Sequence, residues 1–213
     1  MPAPISPDIL RQFETVVTPH ISDNMNRLCG VVGLNRYHRQ KKLVGRALTV
    51  KVRPGDNLMI HKAIDIAEPA DVIVVDGGGE VTQALVGELM QMHAQMCGVA
   101  GFVIDGAVRD VAAFYEADFP CFARGNTHRG PFKEGPGEIN VPVAIGGLVI
   151  GPGDLIVGDE DGLVAVPPDQ LDAVLAAAKA QEQREQQRKG AILARRDKRG
   201  WIDALLKEKG VIA

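Results

Sequence analysis

The segment Gly101-Phe-Val-Ile-Asp-Gly-Ala-Val-Arg-Asp110 opens on an apolar run, turns at a glycine, and delivers an arginine and an aspartate side by side where a helical pattern begins. Ala100 to Ile104 reads as a strand and Arg109 to Ala117 as a helix. Strands that are apolar throughout are covered on both faces, and their alternation with helices is the pattern of an α/β fold. Ligands in such folds gather at the carboxyl ends of the strands, where Arg109 and Asp110 fall. An arginine there offers a planar fork for a carboxylate. An aspartate offers a hard oxygen ligand for Mg²⁺. The same two residues would serve equally as a first-turn charge pair on a helix, so on motif grounds alone both readings stand.

Outward from this segment the alternation continues. Leu43 to Val52 reads as a strand, Asp56 to Ile66 as a helix, Asp71 to Val75 as a short strand, and Gln83 to Met96 as a helix. Arg46 and Lys51 are the polar positions of the first of these. At the N-terminal side, Ser6 is a natural N-cap, Pro7 suits the first helical position, and Ile9, Leu10, Phe13 and Val17 form an apolar stripe that Pro19 ends. Ser22-Asp23 opens a second, short helix reaching toward Gly30. Beyond Pro120 the runs Val141–Ile145, Leu148–Ile150, Leu155–Val157 and Leu163–Val166 read as strands joined by Gly, Pro and Asp turns. From Asp169 the pattern is helical, with Leu171, Val174, Leu175 and Ala178 at helical spacing, a charged stretch from Gln181 to Lys189, an interruption at Gly190, and an amphipathic helix from Trp201 to Lys209. The chain therefore divides into a single α/β domain over 1–168 and a helical C-terminal arm over 169–213. Such an arm packs on a neighbouring subunit or back on its own domain.

The chain has 213 residues, 46% of them hydrophobic and 24% charged, which is ordinary for a globular enzyme. Its net charge of -3 lacks the basic footprint of a nucleic-acid binder, so the expected partner is a small molecule or another protein. Three widely spaced cysteines (Cys29, Cys97, Cys121) suggest neither a disulfide framework nor a zinc ribbon. No stretch reaches the ~20 apolar residues of a membrane span, and Met1-Pro-Ala-Pro does not read as a secretory signal. A cytoplasmic protein is expected.

Several other constellations fail on detail. Asp76-Gly-Gly-Gly-Glu80 follows a strand, but Thr82 stands where a dinucleotide fingerprint needs its last glycine. It reads instead as a tight turn allowing close approach. There is no Gly-Lys-Ser/Thr of a P-loop and no G-x-S-x-G of a nucleophile elbow. The five histidines (His20, His38, His61, His93, His128) lack metal-ligand spacing and read as surface or structural. In Ala84-Leu-Val-Gly-Glu-Leu-Met90, by contrast, Gly87 lets the backbone approach an anion at a helix start and Glu88 could hold a water. Taken singly, Glu88 is better explained by a solvated helix face.

Gly87-Glu88, then twenty residues, then Arg109-Asp110 resembles the acid-x20-Arg-Asp signature of the class II 4-hydroxy-4-methyl-2-oxoglutarate/4-carboxy-4-hydroxy-2-oxoadipate aldolases, which share their fold with the ribonuclease E activity regulator A proteins. The likeness extends through Arg53-Pro-Gly-Asp-Asn57, Ala70-Asp-Val-Ile-Val-Val-Asp-Gly-Gly78 and Gly153-Asp-Leu-Ile-Val-Gly-Asp-Glu-Asp-Gly162. The resemblance implies an α/β sandwich of the swivelling type, assembled as a homotrimer or homohexamer with active sites between subunits. It implies a Mg²⁺ or Mn²⁺ ion bound directly by Asp110, with Arg109 contacting substrate and the developing enolate. Backbone N–H groups around Gly87, Leu89 and Met90 would cradle the substrate carboxylate. Glu88 stands where the aldolases often have aspartate, and would hold metal-bound water. Glu185 of a neighbouring subunit best matches a further acid of that water shell, with Glu182 as the alternative. The implied activity is cleavage of a 4-hydroxy-2-keto acid to pyruvate and a second keto acid, with oxaloacetate decarboxylation through the same enolate. The rival implication of the same likeness is a non-enzymatic regulator of ribonuclease E acting by protein–protein contact.

Overall fold

The computed structural model describes residues 3–27 and 29–212. Helices α1 (Pro7–Glu14) and α2 (Thr18–Asp23) lead into short strands β1 (Gly30–Val31) and β2 (Asn35–Arg36). The alternating centre follows as β3 (Leu43–Val52), α3 (Leu58–Ile66), β4 (Asp71–Val86), α4 (Glu88–Met96), β5 (Gly101–Val108), α5 (Val111–Ala117) and β6 (Cys121–Asn126). Then come β7 (Gly137–Ile139), β8 (Val143–Ile145), β9 (Leu148–Ile150), β10 (Leu155–Asp159) and β11 (Gly162–Val166), and the helices α6 (Leu171–Leu193) and α7 (Trp201–Glu208). The main sheet runs β1-β11-β10-β3-β4-β5-β6-β2, with β7 added to β3, while β8 and β9 form a separate hairpin. β3, β4, β5 and β6 are mutually parallel, and the flanking strands pair antiparallel.

Alternate residues of a strand point to opposite faces, and here both faces are covered. Leu48, Val50, Ile73, Val75, Phe102 and Ile104 pack with Ile60, Ala94 and Phe114 of α3, α4 and α5. Ala47, Val72, Val74 and Val103 face the other way, onto Val143, Ile145 and Ile150 of the β8–β9 hairpin. A third cluster joins β10 and β11 to α1, α2 and the start of α6 through Phe13, Ile21, Leu171 and Leu175. This is the mixed α/β architecture with a helical C-terminal end that the sequence implied. Burial in α6 stops at Ala178. Among the described residues no helix is long and apolar enough to cross a membrane. All three cysteines are free, with Cys29 and Cys121 buried and Cys97 exposed.

Several boundaries differ from the sequence expectation, each for a local reason. Pro19 opens α2 instead of ending α1, since a missing N–H costs nothing in a first helical turn. Asp159 secures that start by accepting from the Thr18 N–H at 2.8 Å and hydroxyl at 2.6 Å. The helix expected from Ser22 toward Gly30 is instead a run of turns over 24–27, and residue 28 lies outside the described residues. The helix expected from Gln83 begins only at Glu88, because β4 continues to Val86 with its register on β5 slipping at three points. The Gly-rich turn makes the first slip possible: a Cβ on Gly77 would sit 2.8 Å from the Asp105 carbonyl. α3 begins only at Leu58, with Asn57 as its N-cap, and Gly190 lies within α6 instead of interrupting it. Arg46, a polar position of β3, is buried against Asp71 in a bidentate pair (2.8 and 3.1 Å) across the β3–β4 register.

Candidate active site

β4 and β5 end side by side. Val86 is followed by Gly87 and the start of α4; Val108 is followed by Arg109, whose N–H donates to the Val86 carbonyl at 3.0 Å. The next residue, Asp110, adopts the left-handed conformation (φ 54°, ψ 42°), which aspartate tolerates better than most side chains. That conformation delays α5 to Val111, where a start at Arg109 was expected. It also turns the carboxylate toward the neighbouring helix, so that Asp110 Oδ2 accepts from the Glu88 N–H at 3.1 Å. The residue before α5 therefore caps α4.

Gly87 is required by space. Its backbone is extended, but a Cβ there would lie 2.5 Å from Asp110 Oδ2 and 2.9 Å from Arg109 Cγ. The Arg109 guanidinium stands 3.6 Å (Nε) from Asp110 Oδ2, and both side chains are 43% exposed. With the Glu88 N–H taken, the first-turn N–H groups of Leu89 and Met90 have no carbonyl within their own helix to bond.

Gly87, Leu89, Met90 and Arg109 line one cavity of about 180 Å³, together with Asn57, His61, Leu85, Pro131 and Lys133. Glu88 and Asp110 are chain neighbours of that lining. Of the site residues expected from sequence, the fold thus gathers Gly87, Glu88, Leu89, Met90, Arg109 and Asp110 in one place. It does not bring Glu185 there within a single chain. Glu185 sits on α6, 3.1 Å from His20 Nε2 and accepting from Gln181 at 3.1 Å. Those hydrogen bonds, the Gln181 one first, hold its carboxyl below the ordinary value. Glu182, the alternative, is exposed.

Asn57, His61 and Lys133 were not singled out by the sequence reading, which took His61 for a surface or structural histidine; the fold places it in the cavity lining. A signal existed for two of them: Asn57 closes the Arg53–Asn57 motif, and His61 lies four residues on, on the same helix face. Lys133 had none, because it sits in a loop. Asn57 is 2% exposed. Its amide donates to the Leu85 carbonyl at 2.9 Å, while its Oδ1 is buried with no partner. Burial first, and then the Lys133 charge, push the His61 imidazole below its ordinary pKa, which favours the neutral ring near pH 7. Among the described residues, no three His, Cys, Asp or Glu side chains come together. An ion held here would take few ligands from the protein.

Comparison with known proteins gives consistent relatives. The family model RraA-like (Aldolase/RraA) matches residues 18–165. A protein of Halalkalibacterium halodurans, provisionally named a 4-hydroxy-4-methyl-2-oxoglutarate aldolase, is 42% identical over 87% of this chain and 89% of its own. A solved structure of an uncharacterized protein from Pseudomonas syringae is 31% identical and superposes with a TM-score of 0.80 over 90% of this chain and 91% of that one. A solved structure titled as the RNA-processing inhibitor RraA of Thermus thermophilus is 31% identical, with a TM-score of 0.66, covering 71% of this chain and 92% of that one.

Proposed function

The chain belongs to the RraA-like family, Aldolase/RraA, and from that premise we propose that it is a divalent-metal-dependent aldolase. Its substrates are 4-hydroxy-2-keto acids such as 4-hydroxy-4-methyl-2-oxoglutarate, cleaved to pyruvate and a second keto acid. Oxaloacetate decarboxylation is its expected second activity. One observation carries the reading: Gly87 lets Arg109, Asp110 and the N-terminus of α4 meet at the rim of a single cavity.

The donor set suits Mg²⁺ or Mn²⁺. Mg²⁺ takes one or two carboxylates and keeps several waters, and Asp110 and Glu88 are two exposed carboxylates joined through a backbone hydrogen bond. Asp110 would bind the ion directly, with Glu88, and Glu185 of a neighbouring copy, holding its waters. A bound ion would supply Lewis-acid polarisation of the 2-keto group.

The chain's own groups do the rest. The open N–H groups at the start of α4 receive the C1 carboxylate, favoured by the helix dipole. A water held by Glu88 takes the C4 hydroxyl proton as the C3–C4 bond breaks and C4 becomes a carbonyl. The electron pair moves toward C2, and Arg109 stands where negative charge on the keto oxygen develops, so its stabilisation is greatest in the transition state. Return of a proton to C3 completes pyruvate. Asn57 Oδ1, a buried acceptor without a partner, is matched by a substrate hydroxyl, which would relieve its desolvation cost. Lys133 adds a second cation to the lining, which suits a substrate with two carboxylates.

Homo-oligomerisation into a trimer or hexamer belongs to the same reading. Leu89, Met92 and Met96 form an exposed stripe on α4 beginning at the cavity, and Ile192, Trp201 and Leu205 of the arm are exposed as well. Both surfaces are suited to burial against a second copy.

Pyruvate release from a panel of 4-hydroxy-2-keto acids and oxaloacetate, with Mg²⁺ and with excess chelator, tests the proposal. Turnover that requires the ion supports it, and full activity in chelator refutes it. The relative titled an RNA-processing inhibitor favours a second reading, a regulator of ribonuclease E acting by protein–protein contact. Such a protein would release pyruvate from none of the panel.

A further inference from the structure

We propose that Asp56 is a positioning residue whose carboxylate ties the 131–136 loop to the start of α3, and so fixes Lys133 in the cavity lining. Its consequence for substrate rests on the aldolase reading above; the clamp itself does not.

The loop has few other means of support. It lies between β6 and β7 and contains no helix or strand beyond a single bridge between Asp56 and Phe132. On one side of Lys133, the Phe132 N–H donates to the Gly55 carbonyl at 2.8 Å and the Asn57 N–H to the Phe132 carbonyl at 3.0 Å. On the other side, Asp56 Oδ2 accepts from the N–H groups of Glu134 at 2.6 Å and Gly135 at 3.0 Å. The second oxygen, Oδ1, accepts from the Leu58 N–H at 3.0 Å, the first residue of α3. One side chain therefore joins the helix that carries Asn57 and His61 to the loop that carries Lys133.

The chemistry explains why a carboxylate stands here. Asp56 is 1% exposed, and a buried anion is costly unless hydrogen-bonded. Burial alone would raise its pKa, but the three N–H donors, with the charge of Arg53, outweigh burial and lower it. Three donors from two segments converge on two oxygens. An amide side chain offers one accepting oxygen and would turn an N–H toward one of the donors. Arg53 also holds the loop from outside, over the Phe132 ring at 5.6 Å and on Glu134 at 3.1 Å, but these are exposed contacts and contribute little.

The experiment compares Asp56→Asn, Lys133→Met and the double variant in the full chain. Amide hydrogen exchange at Glu134 and Gly135 is expected to accelerate about 10-fold or more in Asp56→Asn, while amides of β4 and β5 keep their protection. With 4-hydroxy-4-methyl-2-oxoglutarate as substrate, KM is expected to rise about 10-fold, against a change of less than about 2-fold in inhibition by pyruvate, which lacks the distal carboxylate. Lys133→Met is expected to cost about 10-fold alone and under about 2-fold when Asp56 is already Asn, because both act through the same contact. Unchanged exchange at the two amides overturns the clamp. Equal effects on substrate and pyruvate, or additive effects of the two substitutions, overturn its positioning role. Asp56→Glu, which keeps the charge but displaces the oxygens by a methylene, gives the same readouts if Asp56→Asn does not fold. A wild-type protein that cleaves no keto acid defeats the aldolase reading, and the exchange measurement still decides the clamp.

Discussion

The cavity has two walls that are held in different ways. One is made where two parallel strands end: β4 and β5 deliver Gly87, Arg109 and Asp110 from the most buried part of the sheet, and a glycine closes the gap between them. The other is made from a helix start and an irregular loop, with Asn57, His61 and Lys133 brought together largely by the backbone contacts of one buried carboxylate, Asp56. The first wall is as rigid as the core beneath it. The second is as rigid as a handful of hydrogen bonds. Carbon–carbon cleavage needs charge fixed relative to the breaking bond, whereas recognition of a distant carboxylate tolerates a wall that adjusts. Under the proposed aldolase function, the two constructions match those two demands.

If the strand-end wall carries the chemistry, damage there is the most costly. Asp110→Asn is expected to abolish turnover while leaving the fold intact, since the amide oxygen can still accept from the Glu88 N–H; circular dichroism together with pyruvate release checks both halves. Arg109→Lys comes next, with a loss on the order of 10²–10³ in kcat, by analogy with removal of one oxyanion donor. The loss should fall on kcat more than on KM, because the charge that Arg109 meets exists only as the bond breaks. Gly87→Ala sharpens the comparison without replacing a charged residue. Its methyl must displace the Asp110 carboxylate or the Arg109 stem, and an ångström of misplacement costs about 10² in rate, measurable as turnover of a variant that circular dichroism shows to be folded.

Acid probes the other wall and gives the smallest effect. The Asp56 carboxyl titrates below its ordinary value in the folded chain. Its contacts therefore contribute fully above the unfolded pKa of about 3.9 and are lost as pH falls through the lower, folded value. Loop amides 134 and 135 should lose exchange protection below about pH 4, before those of β4 and β5. Simultaneous loss would mean the two walls are not held separately.

The same division decided what could be read from sequence. The strand-end wall was legible because a strand, a glycine and a charged pair are contiguous in the chain, and because Gly87-Glu88 and Arg109-Asp110 stand at the spacing of the signature that the chain resembles. What stayed hidden there was geometry: the left-handed backbone of Asp110 and its capping of α4 depend on a neighbour twenty-two residues away. The helix expected from Gln83 failed because slips in register within β4 erase the period-two pattern. In the loop wall, Lys133 lies in a stretch with no period at all, and its placement is set by Asp56, far off in sequence and read there as a helix start and part of the Arg53–Asn57 motif.

The most direct test of the central claim needs no knowledge of the distal substrate. Pyruvate incubated with the protein in D₂O should exchange its methyl protons if the site stabilises the enolate, and proton NMR follows the loss of the methyl signal. Wild-type protein with Mg²⁺ is predicted to catalyse the exchange, and chelator or Asp110→Asn to stop it. Absence of exchange with the ion present, or exchange undiminished in chelator, would contradict the account.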